Sequence, residues 1–130
     1  MQVLIISQLH IKETEKRGRG VFATATIEKG TLLETSPVIV LNHEDTEKIH
    51  ETYLHDYYFS WGKYQMKSAI ALGYVSIYNH MINPNCYYEC NYEAETISVY
   101  SRRKIEKNEE LCINYNLDPM SKKKLWFEIE

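Results

Sequence analysis

The thirteen residues from Ile77 to Glu89, IYNHMINPNCYYE, hold three asparagines, three tyrosines, a histidine, a cysteine and a proline. They follow an apolar run, SAIALGYVSIY. Polar side chains at the junction of buried chain and loop must find partners, in the protein or in a ligand. Asn79 and His80 stand at that junction. Pro84 is expected to hold Asn83 extended, and Asn85 to bond a neighbouring backbone group. Taken alone, the stretch is also consistent with a plain polar loop tied by Asx-turns.

Two other stretches have chemical potential. RGRGVFA, Arg17 to Ala23, sets two glycines around one residue ahead of a strand-like run. Such glycines let a backbone approach a ligand and offer its N–H and C=O groups. The third glycine and following helix of a dinucleotide site are missing, so a plain turn also fits. EELCINYN, Glu109 to Asn116, closes a strand on Tyr115. A metal reading would recruit His80, Cys86, Cys90 and Cys112. Cys86 and Cys90 on one strand would stand about 13 Å apart, too far to share an ion, so no metal site is expected.

Eleven tyrosines stand against three phenylalanines. A core built only for packing has no need of hydroxyls, since each buried one requires a partner. A tyrosine-lined pocket is one use for the excess; half-exposed sheet positions are another.

The 130 residues fit one compact domain with a core of its own. A net charge of −3 gives no electrostatic footprint for nucleic acid and tilts slightly toward a lysine-rich partner. No apolar run approaches the ~18 residues of a membrane span. The opening MQVLIISQLHI lacks the features of a signal peptide. Three cysteines cannot all pair within one chain, so a reducing compartment is expected, the cytoplasm or, for a eukaryotic or viral source, the nucleus.

The elements that must position these residues are mostly strands. QVLIISQLHI predicts a first strand and VFATA a second. TIEKGTLLETSPVIVL predicts a turn at Lys29-Gly30, then two strands interrupted at Pro37. Ile49, Tyr53, Leu54, Tyr57 and Trp61 recur at helical intervals, predicting a helix from Asp45 to Ser60 capped by Asp45. The run before Asn79 reads as a strand, a short helix, or one leading into the other. CYYECNYEAETISVYSRR predicts a hairpin turning near Glu93 to Glu95, and SKKKLWFEI a last short helix. IEKGTLLE and IEKNEELC echo one another as two turn-then-strand entries. The class is mainly β, or α+β.

In order and together, Gly-x-Gly-Val-Phe-Ala, Asn-His-x-x-x-Pro-Asn and Glu-Glu-Leu-x-x-x-Tyr resemble the SET-domain protein lysine methyltransferases. KGTLLE, DYYFS and ALGYVSIYNH are similar to the minimal single-domain members of viruses and bacteria. The likeness runs from about Val3 to Tyr115. It implies small β-sheets around a C-terminal pseudoknot with one or two short helices. It implies one SET domain over 1–130, with a core of about 3–116 and a lid from 117–130. The implied cofactor is S-adenosyl-L-methionine. Gly18, Arg19 and Gly20 would hold its methionine end through backbone groups, Asn79 its amino or carboxylate end, and His80 its adenine through backbone atoms. Tyr115 would be the catalytic tyrosine, also beside the cofactor. Tyr57 would line the lysine channel, Tyr88 would influence how many methyl groups are added, and Trp126 would supply an aromatic lid.

The resemblance departs at Met81 and Ile82, where the family's pattern is polar, at Asn114 in place of an aspartate, and in lacking a cysteine cluster after Tyr115. The implied activity is protein-lysine N-methylation of a lysine-containing protein or peptide, be it a histone-like tail, a ribosomal protein or the protein itself, with mono- favoured over trimethylation because Tyr88 and Ile113 leave little room. No nucleic acid or membrane partner is expected; a homodimer is. A SET-like binding module without turnover is the alternative.

Overall fold

The computed structural model describes residues 3–62, 67–117 and 119–122. The predicted first strand is two, β1 (Leu4–Ile5) and β2 (Leu9–Glu13), split by a turn at Ser7-Gln8. β3 (Arg19–Ala23) lies antiparallel to β2. β4 (Leu32–Leu41) is one strand running through Pro37. The expected interruption is absent because β4 changes partner there. Up to Pro37 it pairs with β9 (Thr96–Ser101), and from Val38 onward with β6 (Lys67–Ala71). Proline lacks only a donor; its carbonyl still accepts from the Leu72 N–H at 3.0 Å.

The helix expected from Asp45 to Ser60 is much shorter. α1 spans His43–His50 and is capped by Asn42, whose side chain accepts from the Asp45 N–H. Thr52 caps a separate 3₁₀ turn, Tyr53–Asp56, and β5 (Tyr58–Trp61) follows. The apolar spacing misleads because α1 buries no side chain, whereas β5 buries Phe59 and Trp61 by strand alternation. The apolar run before Asn79 is a strand leading into a short helix: β6, a turn at Gly73, and a 3₁₀ turn over Val75–Ile77.

β5, β6, β4, β9 and β8 (Cys86–Asn91) lie side by side, with β1 also on β4, all antiparallel. The β8–β9 hairpin turns where expected, with Glu95 at φ 55°. The second sheet runs β2, β3, β10 (Glu110–Ile113), β7 (Asn79–His80). Its β10–β7 pair is parallel, setting Cys112 beside Asn79 and Ile113 beside His80. The echoed turns meet: Ile27 and Ile105 exchange two backbone hydrogen bonds of 2.8 Å. Gly30 and Asn108, at matching places in the two turns, both have positive φ. Val21, Leu33, Tyr78, Ile97, Val99, Leu111 and Ile113 are among the fully buried core residues joining the sheets.

Candidate active site

Thr14 closes the turn between β2 and β3. Its N–H and Oγ1 both donate to the Gly18 carbonyl, at 2.6 and 2.8 Å, and its Oγ1 accepts from the Arg17 N–H at 2.8 Å. Gly18 has φ 69°, which suits glycine. Gly20 is needed for space. A Cβ there would stand 2.5 Å from Glu110 Oε2 and 3.1 Å from Asn79 Nδ2. The parallel β7–β10 pair brings Asn79 to that edge. Its amide donates to Glu110 Oε2 at 2.7 Å and to the Arg19 carbonyl at 3.2 Å. Both N–H bonds are thereby engaged, and Asn79 Oδ1 is left as an acceptor aimed by the network.

Arg17 and Glu110 escaped the sequence reading as individual residues. Arg17 donates to the His80 carbonyl at 3.0 Å and pairs with Glu110 Oε1 at 3.2 Å. The local sequences RGRGVFA and EELCINYN give neither residue a mark of its own.

His80 reaches Tyr115 directly. Its ring Nδ1 accepts from the Tyr115 N–H at 3.0 Å, and the two rings meet edge-on at 5.2 Å. That bond requires a neutral imidazole with Nδ1 unprotonated. Burial lowers the His80 pKa, and the Arg17 charge lowers it further. The Tyr115 hydroxyl donates to the Tyr78 carbonyl at 2.6 Å, and the Tyr88 hydroxyl to the Tyr115 carbonyl at 3.0 Å. Burial is the chief cause holding the Tyr115 and Tyr88 phenols above their ordinary range. Both are therefore neutral hydrogen-bonding groups at physiological pH.

A cavity of about 210 Å³ opens beside these tyrosines, lined among others by Tyr57, Tyr58, Phe59, Tyr88, Tyr92 and Tyr115, with Asp56 also on its wall. Tyr57 is exposed and stacks on Tyr53; Tyr88 is buried against Phe59. By strand alternation Tyr87 points the other way and stacks on Tyr100. The structure thus brings Tyr57, Tyr88 and Tyr115 into one cavity. Gly18, Arg19, Gly20, Asn79 and His80 gather separately, next to Tyr115 but not lining that cavity. Ile113, expected to crowd the lysine channel, is instead fully buried in the core. Trp126 and the proposed final helix beyond Lys122 lie outside the described residues.

The departures have local explanations. Met81 and Ile82 expose their side chains, and the Met81 N–H still donates to the Ile113 carbonyl at 2.9 Å. Asn114 is buried, and its amide donates to the Pro119 and Ser121 carbonyls at 3.1 and 2.9 Å. An ionised aspartate could donate neither bond. Asn83 has φ 56° rather than the extended conformation expected before proline. Asparagine tolerates the left-handed region, and its groups are held there by Arg102, Arg103 and the Pro119 carbonyl. Asn85 bonds β10 at both ends of its amide, donating to the Glu110 carbonyl and accepting from the Cys112 N–H. The cysteines are free, and the described residues contain no cluster of three or more potential metal ligands.

Two sheets, with a glycine loop, the Asn-His strand and β10 meeting at one edge, define the class; β10 stops at Ile113, so Tyr115 stands two residues past the strand it was expected to close. The SET-domain profile matches residues 18–116, and the chain belongs to that family. It is 40% identical over 128 residues to a histone-lysine N-methyltransferase, H3 lysine-37 specific, of Schizosaccharomyces pombe, covering 98% of this chain and 82% of that protein. It is 28% identical over 120 residues to a histone-lysine N-methyltransferase, H3 lysine-36 specific, of Aspergillus oryzae, covering 86% of this chain but 12% of that protein. The crystal structure of a candidate histone methyltransferase of Plasmodium falciparum superposes with a TM-score of 0.66 at 27% identity, covering 85% of this chain and 95% of the other.

Proposed function

We propose that this chain is a protein-lysine N-methyltransferase that uses S-adenosyl-L-methionine and acts on histone H3 or a similar lysine-bearing tail. The observation that carries the reading is the position of Tyr115. It lines the tyrosine cavity and bonds the ring of His80, so one residue joins the candidate lysine site to the candidate cofactor site.

The residues beside Tyr115 suit such a cofactor. Asn79 Oδ1 is an acceptor for an ammonium group, which selects the amino over the carboxylate end. Gly20 makes room for the Glu110 and Asn79 side chains that aim this acceptor, and the Gly18–Gly20 loop and the His80 backbone complete the set. When bound, the cofactor supplies an electrophilic methyl group on a sulfonium.

The chain's own part is to deliver a neutral amine to it. Lysine, with an ordinary pKa of about 10.4, must first lose a proton, and a desolvated channel near a cation favours that loss. The rings of Tyr57 and Tyr88 can receive the cationic form. Tyr88 has spent its hydrogen on the Tyr115 carbonyl, so its oxygen accepts from the amine and turns the nitrogen lone pair. The neutral Tyr115 phenol acts as a fixed dipole and not as a base. Catalysis is then chiefly alignment and desolvation. A Tyr88 hydroxyl occupied in this way favours monomethylation, with Ile113 taking no part.

The threading of the Tyr115 segment beside the 79–85 loop is proposed to form the family's pseudoknot, which the bonds from Asn83 and Asn114 to Pro119 support. Trp126 remains a proposed lid, and nuclear placement follows from a histone substrate. Pairing is proposed too, and a sedimentation mass near 15.4 kDa would reject it. The activity itself is tested by incubating the protein with methyl-labelled donor and histone H3. Label in H3 that disappears in Tyr115→Phe supports the reading; donor binding without transfer to H3 or any basic protein points to the binding-module alternative.

A further inference from the structure

Glu34 is a carboxyl group with no solvent exposure, and the chemistry above does not use it. Its place is set by a β-bulge. Between Leu32 and Glu34 the β4–β9 register slips, so Leu33 is inserted and Glu34, Ser36 and Val38 turn to the buried face. Burying a carboxyl group is costly unless its oxygens are satisfied. Glu34 Oε2 accepts from Ser36 Oγ at 2.7 Å and from the Tyr74 N–H at 3.1 Å. Gly73, at φ 83°, lets the chain pass: a Cβ there would overlap Ser36 Oγ and lie 2.9 Å from Glu34 Oε2.

The other oxygen, Oε1, and the fully buried Tyr78 hydroxyl have no hydrogen bond of regular geometry among the described residues. Burial is the chief cause raising the proton affinity of both groups, and their proximity is a lesser one. Glu34 Oε2 thus holds the arch from Gly73 to Tyr78 by a hydrogen bond from the Tyr74 N–H, while Oε1 lies near the Tyr78 hydroxyl toward the other end.

That arch carries two of the three tyrosines of the proposed lysine site. Ser76 Oγ donates to the Tyr57 carbonyl at 3.0 Å, and the Tyr78 carbonyl accepts from the Tyr115 hydroxyl at 2.6 Å. We propose that Glu34 is a positioning residue for methyl transfer: it fixes the Gly73–Tyr78 arch so that Ser76 and Tyr78 hold Tyr57 and Tyr115 in register across the cavity. The proposal rests on the methyltransferase reading, and its test separates the two.

The full chain is compared with Glu34→Ala, Glu34→Gln and Tyr78→Phe, using labelled donor, histone H3, calorimetric donor binding and a fluorine-labelled tyrosine at position 115. Glu34→Ala is expected to lower kcat by about 30-fold, as misplacement of reacting groups does, with KM for H3 and donor Kd held within about threefold. Glu34→Gln, which keeps the size and two polar atoms, is expected to recover most of kcat. The fluorine signal should broaden or split in Glu34→Ala and sharpen again in Glu34→Gln. If Glu34→Ala does not fold, Tyr78→Phe serves in its place, with a smaller fall in kcat and the same fluorine change. Unchanged kcat per folded molecule with an unchanged fluorine signal overturns the proposal, as does a parallel loss of kcat and donor binding. If the wild type transfers no methyl, the activity reading fails, and the fluorine signal still decides whether Glu34 positions Tyr115.

Discussion

The Tyr115 hydroxyl donates to the Tyr78 carbonyl at 2.6 Å, while the Tyr115 backbone N–H donates to the His80 ring at 3.0 Å. One residue is therefore held at both ends by the short segment Tyr78–His80. Because Asn79 lies between those two anchors, the candidate cofactor contact and the candidate catalytic hydroxyl are fixed by the same three residues.

Removing that hydroxyl should be expensive for catalysis and cheap for binding. Tyr115→Phe is expected to lower kcat by about 10²–10³, the usual cost of one oriented dipole at a reacting centre. Donor affinity measured by calorimetry should stay within about threefold.

Tyr88→Phe should alter the product. The change removes the oxygen proposed to accept from the amine and leaves the Tyr115 carbonyl without that donor. Mass spectrometry of H3 peptides is expected to show di- and trimethyl-lysine where the wild type gives mainly monomethyl-lysine. Thermal unfolding should show a loss of about 1 kcal/mol, the net worth of one hydrogen bond.

Gly20→Ala should act on the cofactor side alone. The added Cβ would force Glu110 Oε2 away, loosening both its bond to Asn79 and its pairing with Arg17. The expected result is donor binding weakened by about tenfold or more, with Asn79 no longer oriented.

The His80 pKa is lowered from 6.5, so between the folded and unfolded values the unfolded chain binds more protons and stability rises with pH. The contribution is complete above about pH 6.5 and is lost as pH falls through the lower folded value. His80→Asn, which keeps an acceptor and removes the titrating ring, should flatten this acid-side loss in denaturant titrations.

Glu34 carries the opposite sign. Its pKa is raised from 4.5, chiefly by burial, so the folded state keeps its proton longer than the unfolded chain. Its contribution is fullest below about pH 4.5 and declines as pH rises through the folded value. The stability of Glu34→Gln relative to wild type should therefore improve as pH rises.

Much of this site was readable because its short local parts come in a set order. Gly18 and Gly20, Asn79 and His80, and Tyr115 each also fit a plain turn, loop or strand end, and only their order and joint presence mark them as one candidate site. The tyrosine excess is compatible with a lined pocket but names none of its positions. The errors came where tertiary pairing overrode local pattern. Pro37 continues β4 because the strand exchanges partners, and the spacing from Ile49 to Trp61 mimicked a helix across a 3₁₀ turn and a strand. Glu34 had one usable signal, a lone acid inside the apolar LLETSPVIV. Its inward direction depends on a bulge that no local pattern announces. Arg17 and Glu110 meet across 93 residues, a pairing visible only after β3 and β10 are aligned.

The most direct measurement is intact-mass and fragment analysis of histone H3 after incubation with S-adenosyl-L-methionine and either wild-type protein or Tyr115→Phe. The account predicts methyl groups on specific H3 lysines with the wild type and almost none with Tyr115→Phe. Unmodified H3 under conditions where the wild type binds the donor, or equal modification by both proteins, would contradict it.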